Sequence, residues 1–225
     1  MAIINYANKE VQFKVVYYGP ALCGKTTNLA YIHAQVNEAN KGELVSLATA
    51  ADRTLFFDFL PLNAVVIKGF KTKFQLYTVP GQVMYNATRQ LVLRSVDGIV
   101  FVADSQWEKM EENIESFANL QENIARQGQN IDTIPYVLQY NKRDMPNPAP
   151  VHYLEFILNN RRVRVPSFAG VATSGQGVFQ TLNAISRLLL QKFAWENEQA
   201  VAKHQRSGPS AFTSLSGIAA ATIRR

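Results

Sequence analysis

The chain has 225 residues, 47% of them hydrophobic, and a formal net charge of +6. That length suits one domain of about 190 residues with a tail. No run approaches the ~20 consecutive apolar residues of a membrane span, so integral membrane association is excluded. The cations are scattered, clustering only at Arg161, Arg162 and Arg164, and read as a solvated surface with no call for nucleic acid.

In chain order, apolar and β-branched runs predict strands at 11–18, 64–70, 73–79, 98–103, 135–140 and 163–168. Helical spacing predicts helices at roughly 25–39, 84–94, 108–127, 151–160 and 177–195. The segment GIVFVA from Gly98 is almost wholly apolar, as a parallel strand covered on both faces should be. This alternation predicts an open α/β fold in three layers, a mixed but mostly parallel sheet with helices on both faces. Ligands then belong at the carboxyl ends of the strands. Residues 1–195 form the expected domain. Residues 196–225, rich in Ser, Ala and Gly, read as a flexible tail, with a docking segment around Phe212, Leu215 and Ile218 as the alternative. The N-terminal segment MAIINYANKE carries no secretory pattern, Ala2 stands where myristoylation needs Gly, and the terminal TIRR offers no prenylatable Cys. Cys23 alone permits no intramolecular disulfide and suits a reducing cytoplasm. His33, His152 and His204 lack metal-ligand spacing.

The first strand ends at Gly19, and Gly19-x-x-x-x-Gly24-Lys25-Thr26 follows, opening an amphipathic helix. Strand, glycine-bounded loop and helix form the context of a P-loop. Backbone N–H groups of Gly19, Ala21, Leu22, Cys23, Gly24 and Thr27 can cradle phosphate, aided by the helix dipole. Lys25 would bridge the β- and γ-phosphates, and the Thr26 hydroxyl would ligate Mg²⁺. A plain strand-to-helix turn explains the glycines but not a lysine placed against the dipole.

At the end of the strand 135–140 stands Asn141-Lys142-Arg143-Asp144. The Asp144 carboxylate can accept from guanine N1–H and the exocyclic amine; adenine offers no such pair and would leave it unpaired. Asn141 would serve the base and tie this loop to the P-loop, while the Lys142 stem lies over the ring. In the loop 171–175, the Ala172 N–H could reach guanine O6.

Between these motifs lie DRTLFFDFLP, from Asp52, and Thr78-Val79-Pro80-Gly81-Gln82. With YYGPALCGKTTNL, VDGIVFVADSQ, PYVLQYNKRD and VATSGQGVFQTL, they make residues 1 to about 195 resemble Ras-like small GTPases, above all the bacterial MglA family of polarity and gliding-motility GTPases. The resemblance implies that Thr54 binds Mg²⁺ and senses the γ-phosphate, that the Gly81 N–H contacts that phosphate, and that Gln82 orients the attacking water. It makes Arg53, otherwise a solvated loop arginine, a cis arginine finger. It further implies bound GTP or GDP with Mg²⁺, slow GTP hydrolysis and a roadblock-domain activator of the MglB type. Effectors would read switches I and II in the GTP state. The cytoplasmic chain would be recruited to a cell pole by proteins.

Two departures stand out. Thr78, as in the MglA family, replaces the Asp usual in Ras-like chains, so that Mg²⁺ is either held less firmly or supported by Asp58 or Asp52 instead. Ala21 replaces the family's usual Gly, placing a methyl where Gln82 and the arginine finger must meet. A GTP-dependent scaffold with little hydrolysis is therefore the alternative, and a P-loop ATPase the second rival. Phe56, Phe57 and Phe59 are either an effector surface or packing under the sheet edge.

Overall fold

A computed structural model describes the backbone of residues 2–49, 53–67, 69–161 and 163–207, and side chains outside 47–57, 64–68, 83 and 200–207. Its strands are β1 (Ile3–Asn5), β2 (Glu10–Tyr18), β3 (Val45–Thr49), β4 (Arg53–Ile67), β5 (Phe70–Thr78), β6 (Gly98–Asp104), β7 (Tyr136–Asn141) and β8 (Ser167–Ala169). They form one eight-stranded sheet ordered β3-β4-β5-β2-β6-β7-β8, with β1 antiparallel on β2. Pairings β5-β2, β2-β6, β6-β7 and β7-β8 are parallel; β3-β4 and β4-β5 are antiparallel.

Helices α1 (Lys25–Gln35) and α5 (Val178–Ser207) cover one face, and α2 (Asn86–Leu93), α3 (Met110–Arg126) and α4 (Val151–Leu158) the other. The alternation of strand residues divides the core accordingly. Val15, Tyr17, Val100 and Val102 meet Leu29, Ile32 and Ile185, whereas Val16, Tyr18, Ile99 and Phe101 meet Leu93, Phe117 and Leu120. All of β6 is buried, as its apolar run predicts.

Several boundaries differ from the sequence pattern. The strand expected at 64–70 is the far end of β4, which begins at Arg53. Pro61 sits inside it but pairs with Gln75 only after the named β3 ladder has ended at Phe59, and its carbonyl still accepts from Gly42 N–H at 2.9 Å. The strand expected at 163–168 shrinks to Ser167–Ala169 because Asn159 captures Val165 instead. Its Nδ2 donates to the Val165 carbonyl and its Oδ1 accepts from the Val165 N–H, each at 3.0 Å. Past residue 195, α5 continues to Ser207 through Glu, Gln, Ala and Lys, which are good helix formers. The suggested docking segment at Phe212, Leu215 and Ile218 lies outside the described residues.

Candidate functional site

Gly24 caps α1 with φ +100°, and a Cβ there would stand 2.2 Å from Asn141 Nδ2, so this position needs glycine. The first turn of α1 carries no acidic residue and no side-chain cap. Its amide dipoles therefore face the cleft uncompensated, the arrangement that anions seek. Lys25 is 6% exposed, and its Nζ donates to the carbonyls of Gly19 (3.0 Å) and Pro20 (2.7 Å). Burial depresses its pKa, and the charge of Arg89 pushes the same way. An ammonium so desolvated is primed for an anion.

The cleft beside this loop has a volume of about 380 Å³ and is bounded by Ala21, Leu22 and residues 24–27 on one side and by Gly81 and Gln82 on the other. Thus the P-loop positions and two switch II positions singled out in the sequence come together. Gly81 abuts the loop so tightly that a Cβ would fall 2.3 Å from Ala21 Cα. A larger hollow, about 760 Å³, opens at the amino ends of β7 and β8, far from these residues, and its Arg161 is already paired with Asp132.

Asn141, 2% exposed at the end of β7, clasps two loops. Its Nδ2 donates to the Cys23 carbonyl at 2.7 Å, and its Oδ1 accepts from the Ala172 N–H at 2.9 Å. The expected tie to the P-loop is present. The Ala172 N–H, expected to face guanine O6, is engaged by Asn141 here, so a base would have to share it. Lys142 adopts φ +62°, and its Nζ pairs at 2.7 Å with Asp104 Oδ2. Asp104 is wholly buried and escaped the sequence reading; a carboxylate closing an otherwise apolar strand was the available signal. Asp144 is exposed at the loop, open to a ligand.

A carboxylate on the neighbouring strand stands beside Thr78 and Thr26. Asp58, 1% exposed on β4, accepts at Oδ2 from Thr26 Oγ1 (2.6 Å) and Thr78 Oγ1 (2.8 Å), and at Oδ1 from Ser46 Oγ (2.5 Å). The Asp58 N–H donates to Thr78 Oγ1 at 2.8 Å. Between the two carboxylates considered for this role, Asp58 stands against Thr26, and Asp52 lies outside the described residues. Hydroxyl and carboxylate oxygens are the hard donors that Mg²⁺ takes. Among the described residues no cluster of three His, Cys, Asp or Glu suggests another metal site.

Arg53 and Thr54 lie at the hairpin end of β4, paired with Thr49 and Ala48; their side chains, like those of Phe56 and Phe57, lie outside the described set. Phe59 is half-buried with its ring 4.8 Å from that of Tyr77, which fits packing for this member of the aromatic run. No helix among the described residues is long and apolar enough to cross a membrane.

Comparison with known proteins agrees with this geometry. Residues 14–191 match the Ras family. Over 190 residues the chain is 56% identical to the mutual gliding-motility protein MglA of Myxococcus xanthus (strain DK1622), an alignment spanning 84% of this chain and 96% of that protein. The chain belongs to the Ras family and, within that family, groups with MglA.

Proposed function

We propose that the chain is a GTP-controlled switch with slow intrinsic hydrolysis, accelerated by a roadblock-domain activator, that governs cell polarity or motility. The observation that carries the nucleotide reading is the Asn141 clasp, which joins the phosphate loop to the base loop in one hydrogen-bonded unit. The name of the Myxococcus relative supports the motility role.

In this reading the P-loop amides and Lys25 hold the β- and γ-phosphates, Lys25 exchanging its two carbonyl partners for phosphate oxygens. Asp144 selects guanine, and Lys142, anchored by Asp104, covers the ring. The Thr26 hydroxyl, with Asp58 behind it, would hold Mg²⁺, which when bound neutralises charge on the phosphates. Gln82 faces the P-loop across the cleft, where it can orient water for attack on the γ-phosphate. Thr54 lies four residues from Asp58, up to about 13 Å along an extended strand. In this reading Thr54 joins Thr26, and Arg53 reaches the phosphate, through a shift of the β3–β4 hairpin. That shift is the switching event that effectors and the activator would read.

Single-turnover GTP hydrolysis, alone and with a roadblock-type activator, tests this. Slow turnover that the activator strongly accelerates is expected, and loss of that acceleration in Arg53→Ala and Gln82→Ala. Ala21, bordering the same cleft as Gln82, favours a second reading, a GTP-dependent scaffold that scarcely hydrolyses. Tight GTP binding with no turnover under either condition would favour the scaffold, and Ala21→Gly should then restore turnover.

A further inference from the structure

We propose that Arg89 is a positioning residue for the terminal phosphate: its buried guanidinium fixes two peptide groups of switch II and so sets the preference for GTP over GDP. This rests on the guanine-nucleotide reading above.

Arg89, on α2, is 0% exposed. Wholly buried arginines are rare, and those found are normally paired with an acid. Here the partners are neutral. Nε donates to the Pro80 carbonyl (2.9 Å), Nη2 to the Gly81 carbonyl (2.6 Å) and Nη1 to Asn119 Oδ1 (2.7 Å), and the cation lies 5.2 Å from the centre of the Tyr18 ring. Around it, Asn119 accepts from the Tyr18 hydroxyl and donates to Asn86 Oδ1, and Asn123 donates to both Asn86 and Asn119. Among the described residues no carboxylate pairs with Arg89. A buried charge without a direct counter-ion is unfavourable unless hydrogen bonds answer it, and here three acceptors do, two of them peptide carbonyls next to the phosphate loop.

The geometry shows what it does. In a trans peptide the N–H points opposite to its carbonyl. With the Pro80 carbonyl held by Arg89, the Gly81 N–H must point away from the guanidinium. With the Gly81 carbonyl held, the Gln82 N–H must do the same. Gly81 abuts Ala21 of the P-loop, so these amides are oriented at the edge of the phosphate cleft. Arg89 borders the adjoining space of about 370 Å³, which Ala21, Gly81 and Gln82 also line together with the carboxylates Glu112 and Glu115, neither of which hydrogen-bonds the guanidinium. Its charge also reaches the Lys25 ammonium. The group that meets amides so oriented is a γ-phosphate, which GDP lacks.

The test measures affinities of the full chain for GDP and for a non-hydrolysable GTP analogue by displacement of a fluorescent nucleotide. Arg89→Lys keeps the charge, but one ammonium cannot reproduce the planar fork across two carbonyls. Asn119→Asp keeps the shape and seats a carboxylate on Arg89. In both variants the analogue should weaken at least about tenfold while GDP stays within about threefold, the size of one charge-assisted contact. A merely structural role would weaken both nucleotides together, and that result, or an unchanged analogue-to-GDP ratio, overturns the proposal. If Arg89→Lys does not fold, Asn119→Asp decides. A native chain that binds neither nucleotide brings down the guanine reading, and this inference with it. Native binding of both, with the ratio kept in the variants, sinks this inference alone.

Discussion

Truncation of Asp58 to Ala probes the substitute carboxylate directly. In the native fold the side chain is 1% exposed and accepts from three hydroxyls at 2.5–2.8 Å. Hydrogen bonds to a charged group contribute about 1.5–3 kcal/mol each, hence about 4–9 kcal/mol for three. Truncation also releases the desolvation penalty of the buried carboxylate, which is several kcal/mol. The net loss is then about 2–4 kcal/mol. In a domain of this size each kcal/mol moves the melting temperature by about 2–4 °C, so Asp58→Ala should melt about 4–16 °C lower. Scanning calorimetry of the nucleotide-free chain reads this directly. A parallel Mg²⁺ titration of GDP retention reads the functional side, where losing such a supporting group should raise the Mg²⁺ requirement about 10–100-fold. A variant that melts within about 2 °C of the parent, below the smallest shift expected, and keeps the same Mg²⁺ dependence would refute the assignment of Asp58 as the stand-in for the missing acid at Thr78.

Three further outcomes are expected. Asp144→Ala should abolish the preference for GTP over ATP in competition binding, and an unchanged preference would sink the guanine assignment. Asp104→Asn removes the charge that holds Lys142 in its left-handed conformation. GDP should then dissociate about tenfold faster, consistent with loss of one charge-assisted contact, whereas in a Lys142→Met background the same change should have little further effect. Glu155 should make stability depend on pH. Burial alone would raise its pKa, but hydrogen bonds from Ser167 above all, then from Tyr140 (2.8 Å) and Asn159 (2.8 Å), hold it below the usual carboxylate range. A depressed folded pKa contributes stability above the unfolded pKa and loses it as pH falls through the folded one. Stability should therefore decline below about pH 4.5, near the unfolded glutamate pKa, and Glu155→Gln should flatten that limb of a denaturation-versus-pH series.

The parts of this molecule written in local pattern were legible beforehand. The P-loop needs adjacent residues of fixed type, and Asn141 ends a strand whose apolar run is unmistakable; both lie where the sequence places them. The first part of β4, residues 53–63, was not legible as a strand, because Pro61 interrupts it and its pairing with β5 lies elsewhere in the sequence. Asp58 is 20 residues from Thr78 in sequence, so only the antiparallel pairing of β4 with β5 brings it to the vacant role. Arg89 in NATRQLVL looks like an ordinary surface helix residue. Nothing short of the packing of α2 on the sheet shows its charge turned inward. The continuation of α5 was missed for the opposite reason: residues 196–207 lack core-forming side chains, but helix propensity does not require them.

The Asn141 clasp has a kinetic consequence. One amide, through bonds of 2.7 and 2.9 Å, is the mechanical link between the loop that grips phosphate and the loop that reads the base. The two grips act in series. A factor that drew the loop around Ala172 outward by an ångström or so would break the second bond beyond hydrogen-bonding range. The freed Asn141 would then loosen its hold on the Cys23 carbonyl, and the P-loop would lose its brace without being touched. If the chain binds guanine nucleotide as proposed, its release would be gated at a point remote from the phosphates. On the proposed function, the lifetime of the bound state would then be shortened from the base side alone.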